Sequence, residues 1–108
     1  MLSENKESVL HETVGDYGYA LAALKNGYKL ARKGWNGKGM WISLTTGRVL
    51  NNKIDKIWTE NVKKAAEENN GIVEMLPYLL MKTADNKIQI GWLANQSDML
   101  ANDWGIVD

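Results

Sequence analysis

Nine residues, Arg32-Lys33-Gly34-Trp35-Asn36-Gly37-Lys38-Gly39-Met40, gather three glycines, three cations, one indole and one amide. That mixture is a poor recipe for core and a good one for gripping an anion beside a flat ring. Glycines such as Gly37 let backbone N–H groups come close to a ligand. Arg and Lys carry the charge that phosphate needs, and an indole face stacks on a base. The chemistry suggested is nucleotide binding, with Trp35 on a base, Asn36 on an edge or hydroxyl, and Arg32, Lys33 or Lys38 at phosphate. The spacing is neither a Walker loop nor a Rossmann fingerprint. The same residues also suit a long hairpin turn with Trp35 folded back on the core, so both readings stand on the local residues.

A second polar cluster, Ser97, Asp98 and Asp103, follows Gly91-Trp92-Leu93-Ala94-Asn95-Gln96. A carboxylate at a helix start can accept from an adenine amino group or ribose hydroxyls. Ser97 and Asp98 are equally good N-cap residues, worth about 0.5–2 kcal/mol, and the two roles are compatible. Met40, Met81 and Met99, and Trp41, Trp58, Trp92 and Trp104, sit in apolar patterns that read as core. Tyr17 lies on the apolar stripe of the first helix, where core is the simpler role, although an aromatic there can also reach a neighbouring subunit's ligand. His11 is the only histidine and has no partners for a metal site. With no cysteine, no histidine-centred triad and no carboxylate pair at a recognised spacing, catalysis is hard to assemble. No cofactor is implied, and the inference is a binding protein.

The elements that must position these residues follow from periodicity. A chain of 108 residues suits one domain with a single modest core. Residues 1–14 lack periodicity and read as a flexible lead-in to a single domain over 15–108. Tyr17, Ala20, Leu21 and Leu24 recur at helical spacing between an Asp16 N-cap and an Asn26-Gly27 stop. Residues 28–33 and 40–44 read as strands joined by the glycine loop. Ile54, Ile57, Trp58, Val62, Ala65 and Ala66 predict a helix in the 47–73 region that ends at Asn69-Asn70-Gly71. Residues 78–83 and 88–92 flank Ala84-Asp85-Asn86-Lys87, a hairpin signal. Ser97 or Asp98 caps a short helical turn, and 104–107 closes the sheet. The expected class is α+β: a small antiparallel sheet with an N-terminal amphipathic helix, a second helix and a short C-terminal helical turn.

Lys plus Arg and Asp plus Glu balance at 13 each, which argues against long nucleic acid as a partner, since polyanion binding needs a broad basic surface. No apolar run approaches a membrane span, and no secretory h-region precedes the domain. Cytoplasm is the expected location, with no membrane partner.

Several motifs in one order carry a resemblance. They are Tyr17-Gly18, Ala20-Leu21, Ala23-Leu24-Lys25 and Gly27, then 32–40, then Leu76-Pro77-Tyr78, Met81-Lys82-Thr83-Ala84-Asp85, Gly91-Trp92-Leu93-Ala94, Gln96, Ser97-Asp98-Met99-Leu100-Ala101 and Asp103-Trp104. The chain resembles the small phage and prophage domain that includes the second type of anti-Thoeris protein, over residues 17–45 and 76–107. The resemblance implies a sponge that binds, without degrading, the cyclic ADP-ribose isomer that activates the Thoeris effector. It also implies a homotetramer with ligand pockets between subunits, and uptake by some members of cyclic dinucleotides of CBASS immunity. On this chain it implies a ligand site formed by Arg32, Trp35, Asn36, Gly37 and Lys38 with Gln96, Ser97, Asp98 and Met99, and Tyr17 nearby. Tyr17 stands where a Phe is familiar, Asn95 where a smaller polar residue is usual, and Gly47 to Val73 does not align. Two other readings remain: a hydrolase of the same signal with Asp98 or Asp103 as base, and a protein-interaction module anchored by Trp35.

Overall fold

The computed structural model describes residues 10–57 and 59–108. In chain order the elements are β1 (Leu10–Gly15), α1 (Tyr17–Lys25), β2 (Lys29–Arg32), β3 (Trp41–Thr45), β4 (Arg48–Asn51), α2 (Glu60–Glu67), β5 (Ile72–Met75), β6 (Tyr78–Lys82), β7 (Ile88–Ile90), α3 (Gln96–Leu100) and β8 (Trp104–Val107). The chain is α+β, dominated by sheet and carrying short helices. It divides into two compact units, 46–77 and the remainder.

The larger unit is a six-stranded sheet in the order β1-β8-β2-β3-β6-β7, with every neighbouring pair antiparallel. Both β1 and β2 pair with β8, so α1 links two parallel strands across a third inserted between them, a split βαβ unit. Asp16 caps α1 by accepting the Tyr19 N–H at 2.9 Å. The helix buries Ala20, Ala23 and Leu24 against Leu30, Ile42, Met81 and Trp104. Trp104, the largest side chain with no solvent exposure, sits in that core. Trp41 is half-buried on β3, with the Lys29 ammonium 5.1 Å from its ring centroid.

The second unit pairs β4 with β5. Leu50 and Ala66 are its buried apolar residues among those described. Thr59 caps α2 by accepting the Val62 N–H at 3.1 Å. After the helix, Asn70 and Gly71 adopt positive φ (58° and 81°) as the chain reverses into β5, at the stop that Asn69-Asn70-Gly71 predicts.

Four expectations change. A strand occupies 10–15, so the flexible lead-in does not extend to residue 14, and its remainder, 1–9, lies outside the described residues. The pairing of β1 slips between Leu10↔Val107 and Val14↔Gly105, and this irregularity hides the alternation that marks a strand. His11 falls on the backbone of β1. The second helix begins only at Glu60, so Ile54 and Ile57, read at helical spacing, fall before it, because a competing turn forms: the Ile54 and Asp55 N–H groups both donate to the Asn51 carbonyl. Ile54 is 83% exposed. Trp58, expected in that helix, lies outside the described residues. The β4–β5 pair was not expected at all. Finally, α3 is capped by Asn95, not by Ser97 or Asp98.

Candidate functional site

β2 ends at Arg32 and β8 begins at Trp104, and the two residues are partners in the sheet. That register brings Arg32 beside Asp103, where the guanidinium Nε donates to Asp103 Oδ1 at 2.8 Å. On the other side its Nη1 donates to Asp98 Oδ1 at 2.9 Å. The remaining oxygen of Asp103 accepts the Gly34 N–H at 2.8 Å, and the Lys33 N–H donates to the Asp103 carbonyl at 3.1 Å. A Cβ on Gly34 would lie 3.0 Å from Asp103 Oδ2 and 3.1 Å from the guanidinium, so a larger residue would have to push that ion pair aside. The loop is thus pinned at its entrance by one carboxylate.

Asp98 is the buried member. Its Oδ1 also accepts the Trp35 indole N–H at 3.2 Å, and its backbone carbonyl accepts the Trp104 indole N–H at 2.9 Å. At the start of α3 it completes a capping box: Asn95 Oδ1 accepts the Asp98 N–H at 2.8 Å, and Asp98 Oδ2 accepts the Asn95 N–H at 3.4 Å. Over this polar floor stand four rings. Trp35 meets Trp104 edge-on at 5.3 Å and Trp92 at 6.0 Å, and Tyr17 meets Trp104 at 5.6 Å.

The electrostatics follow the contacts. The hydrogen bond from Arg32 holds the Asp103 carboxyl below the usual carboxylate range, helped by the Gly34 N–H and opposed by burial. The two carboxylates raise the Arg32 guanidinium in turn. Partial burial, then the charge of Asp98, pushes the Tyr17 phenol upward. Among the described residues, no group of His, Asp or Glu is arranged to hold a metal ion.

The structure therefore brings Arg32, Trp35, Asp98 and Tyr17 into one cluster, but in a particular way. Arg32 spends its charge on Asp98 and Asp103, and Asp98 spends its own on Arg32. The open chemistry lies on the loop, where a depression of about 180 Å³ is lined by residues 31–33, 35–40 and Val107. Lys33 and Lys38 are exposed, and neither is ion-paired among the described residues. Asn36 is exposed, whereas Gly37 is closely packed, a Cβ there falling 2.8 Å from Ala84 Cβ and against the Met40 sulfur. Gln96, Ser97 and Met99 are exposed on α3 and do not line the depression. Sequence reasoning missed Asn95 as the cap, although Asn followed by Asp three residues on is a capping-box variant readable in advance.

Comparison with known proteins gives the chain a family. Residues 15–107 match a family described as the Thoeris anti-defense 2-like domain. A relative named Thoeris anti-defense 2, from Bacillus phage SP01, is 35% identical over 96 residues, which is 89% of this chain and 98% of the relative. Among the described residues no helix is long and apolar enough to cross a membrane.

Proposed function

Since the chain belongs to the Thoeris anti-defense 2-like family, we propose that it is a phage anti-defence protein that binds and sequesters a cyclic ADP-ribose isomer without degrading it. The observation that carries this reading is the glycine loop itself. Asp103 pins its entrance, so Trp35, Asn36 and Lys38 are presented by a fixed frame, and Lys33 and Lys38 keep their charge available to phosphate. Arg32, neutralised by two carboxylates, serves as the strut of that frame. Asp98, its acceptors occupied, holds the strut and the indole. The ligand contacts are thereby reassigned toward Lys33, Asn36, the loop backbone and Lys38, with Trp35 as the apolar wall.

Sequestration in competition with a receptor calls for affinity near the nanomolar range, about 12 kcal/mol. Stacking offers about 1–3 kcal/mol per base. A depression of about 180 Å³ is also smaller than the roughly 300–1,000 Å³ typical of small-molecule sites. We infer that a neighbouring copy supplies the rest of the enclosure, as in a homotetramer. Exposed apolar side chains at Ile88, Ile90, Leu93, Met99 and Leu100 support self-association.

The test is a thermal shift against a panel of cyclic ADP-ribose isomers and cyclic dinucleotides, with chromatography of the ligand recovered after boiling. Stabilisation with intact ligand recovered is the expected outcome. A linear product would instead make the protein a hydrolase, and no shift with any nucleotide would make it a protein-binding module.

A further inference from the structure

The 46–77 unit holds a cavity of about 300 Å³, larger than the depression at the glycine loop, lined by Asn52, Asp55, Lys56, Ile57 and Lys63. Its charge is not what the residue list suggests. Asp55 is committed elsewhere: Oδ1 accepts from Arg48 Nη2 at 3.0 Å and Oδ2 from the Asn51 N–H at 2.8 Å. Lys56 and Lys63 are exposed and carry no ion pair among the described residues. The balance at the cavity is therefore positive.

Asn52 gives the wall a fixed polar group. Its backbone N–H donates to the Gly71 carbonyl at 2.8 Å. Its side-chain amide is half-buried and makes no hydrogen bond to another described residue. Gly71 leaves room for that amide, since a Cβ there would lie 2.8 Å from Asn52 Oδ1. A residue with an unbonded side-chain amide, two lysines without an ion pair among the described residues and one aliphatic residue thus line one space. Two point charges and an N–H₂ donor match the several oxygens of a phosphate group.

We propose that this cavity is an anion site for the phosphate of a small molecule, with Lys56 and Lys63 carrying the charge, the Asn52 amide donating and Ile57 covering the apolar side. It is built from residues of the 46–77 unit only, so it stands or falls independently of the glycine loop.

Backbone amide spectra of the full chain, recorded during titration with inorganic phosphate and separately with adenosine monophosphate, test it. Saturable shifts at residues 52–57 and 63, with a midpoint of their own apart from any shifts at 33–40, are expected with at least one probe. Equal affinity for both would assign recognition to the phosphate itself, and tighter binding of the nucleotide would assign a phosphate ester. Lys56→Gln/Lys63→Gln should weaken the binding read at these amides by roughly tenfold or more, as befits lost charge-assisted hydrogen bonds. Absence of saturable shifts at these amides with either probe, or undiminished affinity in the Lys56/Lys63 variant, overturns the proposal. Because both substitutions fall on exposed side chains, the fold is not at risk.

Discussion

Asp98 shows how a residue that looks like a ligand group can be a joint. One of its oxygens holds both Arg32 and the Trp35 indole, the other faces the Asn95 N–H, and its carbonyl holds Trp104. Removing the carboxylate leaves a guanidinium and an indole N–H without their shared acceptor. Asp98→Ala should therefore cost about 3 kcal/mol, the scale of breaking a buried ion pair, read as a lower midpoint in urea unfolding. A pure ligand residue would leave that midpoint in place. Asp103 carries the pH dependence. Its folded pKa is depressed, chiefly by Arg32, below an unfolded value of about 3.9. Its stabilisation is thus complete above the unfolded value and is lost as pH falls through the folded one. In Asp103→Asn the fall in Tm below about pH 4 should be shallower than in the wild-type chain, as scanning calorimetry across that range would show.

At the scale of elements, α3 is five residues long, too short to persist without its cap and its packing. Asn95→Ala removes the acceptor of the Asp98 N–H and should cost about 1 kcal/mol, with faster hydrogen exchange at the amides of Asp98 and Met99. Elements with a local signature were legible in the chain: α1 between Asp16 and Asn26-Gly27, the strands beside the glycine loop, and the β6–β7 hairpin, where Asn86 takes φ 65°. Elements defined by distant partners were not. β4 and β5 are four residues each and meet across an intervening helix, so neither shows enough alternation to announce itself. The site divides the same way. Its residue types were visible, but Arg32 and Asp98 are 66 positions apart, and only the β2–β8 register reveals that they neutralise each other rather than face a ligand.

For the whole molecule, the consequence of an incomplete loop depression is concentration dependence. If a neighbouring copy completes the enclosure, dilution that separates the copies should abolish ligand binding, measured by light scattering alongside ligand fluorescence. Lys33→Gln/Lys38→Gln should weaken binding by roughly tenfold at any concentration, because it removes charge-assisted contacts without touching assembly. The position of β8 has a different reach. It follows every other strand in the chain yet lies between β1 and β2, and it delivers Trp104 to the core. A chain emerging from the ribosome can form its hairpins early, but β1 and β2 have no bridging strand until residue 107 clears the exit tunnel. Until then the sheet stays open between β1 and β2, and a nascent chain stalled before residue 107 emerges should be read by proteases as unfolded.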